Sequence, residues 1–150
     1  MDVRPRVARP SWAAVALVAA LCWLSSSLPG WSADPPSLSI ELNKVETTEQ
    51  GCRSIFLFNN ETGHELNRFR VDLILFDADG VYAKQLLLDL APLYESKRTV
   101  ASFLLDDMPC EQIGSILING VPLCEDGAGA AVDCVSLLEV KSRSGIPLEK

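Results

Sequence analysis

Five carboxylates near two cysteines are the side chains best suited to chemistry. Paired carboxyl groups can perform acid–base catalysis when burial raises the pKa of one of them. These five occupy turn-like segments beside Cys110 and Cys124, where carboxylates are usually solvated, so we expect no catalytic residue and no metal site. If the two cysteine-bearing ends lie close together, the five form an acidic patch that binds a cationic partner. The residues are Asp106, Asp107, Glu111, Glu125 and Asp126.

Two further motifs lack the partners that their chemistry requires. His64 is the only histidine and lies in a polar loop, which makes histidine-based catalysis or zinc binding a poor interpretation. The segment Asp77-Ala78-Asp79-Gly80 resembles the start of a calcium loop, but Leu88 occupies the twelfth position, where a glutamate is needed. The segment therefore indicates a hairpin turn, with Gly80 free to adopt positive φ. We expect no cofactor and no enzymatic activity.

Three other residues bear on modification or binding. Asn60-Glu61-Thr62 fits the acceptor pattern for N-glycosylation, which matters only in a eukaryotic host. Tyr82 and Tyr94 can either anchor a partner or line the edges of a sheet.

The cysteines indicate disulfide bonds in an oxidising compartment. Five are present, and Cys22 falls in the leader described below, so Cys52, Cys110, Cys124 and Cys134 remain. No two have the C-x-x-C spacing of zinc knuckles or redox motifs, and four cysteines allow three pairings. We favour Cys124–Cys134, which flanks a Gly/Ala-rich turn, and Cys52–Cys110 then follows by elimination.

The first 33 residues read as a cleavable signal peptide. Three arginines precede the apolar run 13–24, and a turn-prone stretch follows. The run of 12 residues is too short to cross a bilayer, which needs about 20, so we expect no stable membrane anchor. Cleavage after Ser27, Ser32 or Ala33 remains open. The predicted mature domain is 34–150, and the predicted location is the periplasm or the extracellular space of a bacterium.

Composition excludes several classes of protein. The segment 34–150 keeps 10 basic and 19 acidic residues, which gives a formal charge of −9. Such an acidic domain is a poor ligand for nucleic acid. A hydrophobic content of 48% excludes a disordered chain.

Alternating apolar residues predict about seven short strands. Phe69, Val71, Leu73 and Leu75 share one face of the third strand, whereas Val45 breaks the alternation of the first and indicates a bulge or strand end. The segment 83–93 contains helix formers, but its flanking turn and Pro92 favour a strand. The spacing predicts an all-β, immunoglobulin-like antiparallel β-sandwich. The predicted strands start at Leu38 and cover 52–58, 66–76, 81–90, 99–105, 113–121 and 134–141.

One set of segments carries a family resemblance: 38–44, Cys52 to Asn60, 73–80, 90–93, Phe103, Pro109-Cys110, 116–119 and the last two cysteines. In these segments the chain resembles a family of exported proteobacterial proteins that is named for a Tat-pathway signal sequence. The similarity covers nearly all of 38–150 and implies export without implying an activity. The chain lacks the paired arginines of that pathway, since Pro5 separates Arg4 from Arg6, so Sec export is an equal alternative. The order Asn59-Asn60, 76–80 and Phe103 is also similar to FxLYD-type immunoglobulin-like domains.

Two functional hypotheses follow from the sequence. The first is a non-catalytic binding or structural module of the cell envelope, monomeric or weakly oligomeric, with an envelope protein as its partner. The alternative is a small carboxylate- or metal-dependent hydrolase, which requires two acidic residues to converge in a pocket.

Overall fold

Eight strands are divided between two stacked sheets in a computed structural model that describes residues 35–150. The predicted signal peptide 1–33 lies outside the described residues. The strands are β1 (Ser37–Thr48), β2 (Gly51–Glu61), β3 (Leu66–Asp77), β4 (Tyr82–Asp89), β5 (Lys97–Asp106), β6 (Ile113–Asp126), β7 (Leu138–Ser142) and β8 (Leu148–Glu149). A 3-10 turn at Cys110–Gln112 precedes β6, and a one-turn helix, α1 (Cys134–Leu137), precedes β7.

One sheet has the order β5-β2-β1-β7, and the other has the order β4-β3-β6-β8. Four neighbouring strand pairs are antiparallel: β1–β2, β2–β5, β3–β4 and β3–β6. The pair β1–β7 is parallel. The short β6–β8 pair is also parallel. The chain crosses between the sheets after β2, β4, β5, β6 and β7, as in an immunoglobulin-like sandwich. The predicted fold class is therefore confirmed, with an eighth strand of two residues added.

The core lies between the inner faces of the two sheets. Phe69, Val71, Leu73 and Leu75 are all buried, as the alternation predicts, because every second side chain of a strand points to the same face. They pack in one cluster with Phe56 and other apolar residues of the opposite sheet. Removal of this apolar surface from water is the main force that holds the sheets together.

The structure differs from the sequence prediction near the end of the chain. The predicted strand 134–141 is wrong in its first half, because Cys134–Leu137 forms α1. The Asp133 carboxylate caps this turn by accepting a hydrogen bond from the Ser136 amide at 3.3 Å. Residues 83–89 of the segment 83–93 belong to β4, in agreement with the predicted strand, and the irregularity near Val45 is a bulge between Leu42 and Lys44.

The two disulfides tie the sheets together at opposite ends of the sandwich. Cys52 in β2 is bonded to Cys110, in the turn that leads to β6 of the other sheet. Cys124 in β6 is bonded to Cys134, in the helix that leads back to β7 of the first sheet. This is the pairing that the sequence favours. Each bond therefore links a strand of one sheet to a segment that enters the other sheet.

Candidate functional site

An acidic cleft lies at the end of the sandwich that carries the Cys52–Cys110 disulfide. It has a volume of about 360 Å³, and its walls come from the β3–β4 turn and from the 3-10 turn before β6. The lining residues are Asp77, Ala78, Asp79, Ala83, Met108, Glu111 and Gln112. We call this site the acidic cleft.

The first wall is a hairpin turn organised by Asp77. Its Oδ1 accepts hydrogen bonds from the amides of Asp79 at 3.0 Å and Val81 at 2.9 Å. Its carbonyl oxygen accepts from the amide of Gly80 at 3.0 Å, and Gly80 has a φ of 77°, which glycine adopts without strain. Asp77 therefore shapes the turn, and the exposed Asp79 is the carboxylate that this wall presents to solvent.

The second wall is held against β1 and β2. The Thr47 hydroxyl donates to Glu111 Oε1 at 2.9 Å, and the amide of Cys110 donates to the same hydroxyl at 3.3 Å. The disulfide fixes Cys110 to Cys52, which is fully buried. This wall therefore positions Glu111 by a covalent bond and by hydrogen bonds from a neighbouring strand.

The two walls meet at Gly114, where the backbones of β3 and β6 approach closely. A Cβ atom at Gly114 would overlap the carbonyl oxygen of Asp77, so only glycine fits here without a backbone shift. The sequence pattern alone did not indicate that Asp77 and Asp79 belong to the same site as Glu111. The available signal was strand direction, since in an antiparallel pair the end of β3 lies beside the start of β6.

The electrostatic character of the cleft follows from its lining. Three of its seven lining residues are carboxylates, and none is lysine or arginine. Lys84 of β4 lies nearby but donates to the carbonyl oxygen of Asp106 at 3.1 Å. A concave surface with one sign of charge concentrates ions of the opposite sign, so this end of the molecule attracts cationic groups.

The structure does not bring the five predicted carboxylates together into one patch. Asp106, Asp107 and Glu111 lie at the Cys52–Cys110 end, and only Glu111 lines the acidic cleft. Glu125 and Asp126 lie at the far end of β6, which has 14 residues. At a rise of about 3.3 Å per residue, they are about 40 Å from the start of β6, beside which Glu111 lies. The two cysteine-bearing ends are the opposite ends of the sandwich, so the condition for a single patch is not met.

Both carboxylates of the far end have partners. Glu125 Oε2 is 3.1 Å from Arg68 Nη1 on β3. Asp126 Oδ1 accepts from the amides of Ala128 and Ala130, both at 2.9 Å. These backbone hydrogen bonds, that of Ala130 foremost, lower the pKa of Asp126 below its ordinary value. Asp126 therefore shapes a turn as an ionised carboxylate, and a lowered pKa is the reverse of what a general acid needs.

The other residues named from the sequence are dispersed. Tyr82 is 57% exposed beside the acidic cleft, whereas Tyr94 lies at the opposite end, with Lys97 Nζ 4.7 Å from the centre of its ring. His64 is exposed in the β2–β3 loop. Asn60 is only 1% exposed, so the glycosylation pattern is inaccessible in the folded chain.

Two negative findings apply to residues 35–150. No group of three His, Cys, Asp or Glu side chains in this range is placed to hold a metal ion. The same range contains no helix with the length and apolar content that a membrane crossing requires.

The chain matches no family model, no curated protein and no solved structure.

Proposed function

We propose that the protein is an exported, non-catalytic binding module of the bacterial cell envelope, and that the acidic cleft binds a cationic segment of a partner protein. The observation that carries this proposal is the lining of the cleft, which includes Asp77, Asp79 and Glu111 and no lysine or arginine. Lysine and arginine side chains of a partner supply the complementary charge.

The location rests on the disulfides and on the leader. Two disulfide bonds fit a protein that resides in an oxidising compartment, such as the periplasm or the extracellular space. The charged and apolar order of residues 1–33 supports export, and the resemblance to exported proteobacterial proteins agrees with it.

Site-specific photo-crosslinking in the native compartment tests the binding site. One variant carries the crosslinking residue at Gln112, which lines the acidic cleft, and a control carries it at Ser136 in α1 at the other end. We expect the Gln112 probe to capture a protein through a segment rich in lysine or arginine, identified by mass spectrometry. We also expect this product to disappear when Asp79→Asn and Glu111→Gln are added. Crosslinks that persist in that double variant, or that are the same at Ser136, would contradict the proposal.

A further inference from the structure

The strand β5 forms an open edge of its sheet. It is the terminal strand in the order β5-β2-β1-β7, and within residues 35–150 no strand pairs with its outer side. Residues 99–105 of this edge contain neither a charged residue nor proline, and Val100 is 66% exposed. Long, uncharged edges favour pairing with another strand, and natural proteins usually protect them.

Two hydrogen bonds show which backbone groups of β5 face outward. The carbonyl oxygen of Phe103 accepts a hydrogen bond from Ser54 Oγ of β2 at 3.1 Å, so the backbone carbonyl of Phe103 is directed toward β2 and away from the open edge. The carbonyl oxygen of Asp106 instead accepts from Lys84 of the opposite sheet. Because backbone groups alternate in direction along an antiparallel strand, the even-numbered residues 98–106 direct their N–H and C=O groups to the open edge.

The charges of β5 are arranged for pairing with an identical strand. Arg98 near the start and Asp106 at the end are both exposed, and neither takes part in a salt bridge within the described part of the chain. When two copies pair antiparallel with Ser102 opposite itself, Arg98 lies opposite the partner's Asp106. The same register places Val100 opposite the partner's Leu104 on the same face. A shift by two residues would lose both the ion pairs and this apolar pair.

We infer that the protein forms a symmetric dimer in which the β5 strands of two copies pair antiparallel about Ser102. In this register each even-numbered residue from 98 to 106 lies opposite an even-numbered residue of the second copy. Their outward-facing N–H and C=O groups can therefore form hydrogen-bonded pairs. Val100 already lies beside Leu57 of β2, so the pairing extends one apolar strip across both copies. A two-fold contact of this kind is closed and does not propagate into fibres.

The open edge of β4 lacks these features. Its terminal Asp89 is already paired with Arg70 of β3, with Arg70 Nε 2.8 Å from Asp89 Oδ1. Lys84 donates to the carbonyl oxygen of Asp106, so neither charge of β4 is free to pair with a second copy. Of the β4 and β5 edges, the β5 edge is therefore the one whose charges and register fit a second copy.

Charge exchange tests the inferred dimer, with sedimentation equilibrium of protein made from the full chain as the measurement. Wild type is expected to dimerise reversibly. Arg98→Asp and Asp106→Arg should each raise the dissociation constant about tenfold, since two ion pairs per dimer become repulsive. The variant with both substitutions restores opposite charges and should return to within about threefold of wild type. A monomeric wild type, or a double variant no better than the single ones, would overturn the inference.

Cysteine crosslinking tests the register independently. Hydrogen-bonded antiparallel partners have Cα atoms about 5.5 Å apart, which lies within disulfide range, so Ser102→Cys should form an intermolecular disulfide on oxidation. Val100→Cys is the control, because the two copies of that residue would be four positions apart along the strand, too far for a bond. Non-reducing electrophoresis should show a covalent dimer for Ser102→Cys only. Equal crosslinking of both variants, or none, would contradict the register, and thermal melts confirm that each variant is folded.

Discussion

Asn60 Nδ2 donates a 2.8 Å hydrogen bond to the carbonyl oxygen of Leu93, which ties the end of β2 to the crossover between β4 and β5. The same nitrogen donates to the carbonyl oxygen of His64 at 2.8 Å. Its Oδ1 accepts from the amide of Thr62 at 3.1 Å and from the Thr62 hydroxyl at 2.7 Å. The side chain therefore satisfies both of its polar atoms while buried, and it holds two loops together.

Substitution of Asn60 should destabilise the protein. Asn60→Ala leaves buried carbonyl and amide groups without their partner, so we expect the free energy of unfolding to fall by about 2–3 kcal/mol. The matched control is Asn59→Ala, since Asn59 lies on the outer face of β2 and should change stability by about 0.5 kcal/mol or less. Urea unfolding measures both. Equal losses for the two variants would show that the buried network contributes nothing specific.

The two disulfides should contribute unequally. Cys52 and Cys110 are 58 residues apart, whereas Cys124 and Cys134 are 10 apart. By loop-closure entropy the longer bridge stabilises by about 4 kcal/mol and the shorter by about 3 kcal/mol. Denaturant unfolding of Cys52→Ala/Cys110→Ala and of Cys124→Ala/Cys134→Ala compares them. Peptide mapping without reduction checks the pairing, and a peptide that joins Cys52 to Cys124 or Cys134 would contradict it.

Gly114 should not tolerate a side chain. In Gly114→Ala the new Cβ would overlap the Asp77 carbonyl oxygen, so we expect a loss of about 1–3 kcal/mol as the backbone shifts. Gly120→Ala is the control on the same strand, because a Cβ there meets no atom within 4 Å. Thermal unfolding distinguishes the two variants. A Gly114→Ala protein as stable as Gly120→Ala would show that the β3 and β6 backbones are further apart at the acidic cleft than described.

The free energy of unfolding should depend on pH through the carboxyl group of Asp126. Its folded-state pKa lies below the ordinary value of 3.8, mainly because the amides of Ala130 and Ala128 hydrogen-bond the carboxylate. A carboxyl group with a lowered pKa stabilises the fold above its unfolded-state pKa, and this stabilisation is lost as pH falls through the folded-state pKa. The stability advantage of wild type over Asp126→Asn should therefore be greatest near neutral pH and should shrink below about pH 4.

Two measurements check this acid dependence. Urea unfolding across the acid range follows the difference between wild type and Asp126→Asn, in which the retained amide oxygen can still accept hydrogen bonds. NMR titration of the Asp126 carboxyl carbon gives the pKa directly, with a midpoint expected below 3.8. A midpoint at or above that value, or a stability difference that is the same at all pH values, would contradict the prediction.

Strand alternation made most of the sandwich predictable. The inward face of β3 could be read from the sequence because one buried face imposes a period of two. The helix α1 could not, since Val135 is β-branched and the turn depends on the cap between Asp133 and Ser136. β8 has two residues, too few for any periodicity, and is defined by its pairing with Ile116 and Leu117.

The candidate site was harder to predict, because it depends on which end of the sandwich each turn occupies. Glu111 was identified, but Asp77 and Asp79 were assigned only to a hairpin turn. The predicted acidic patch placed Glu111 with Asp126, although β6 lies between them. The length of this strand keeps the two residues at opposite ends of the sandwich. Strand direction, added to the residue types, would have placed Asp79 with Glu111.

NMR titration of isotope-labelled protein with a lysine- and arginine-rich peptide tests the proposed function most directly. We expect shifts concentrated in residues 77–83 and 108–112, lost in the Asp79→Asn/Glu111→Gln variant. They should also weaken at about 1 M salt, where the Debye length falls to about 3 Å. Shifts centred on Glu125 and Asp126, or no binding at low salt, would contradict a cationic partner at the acidic cleft.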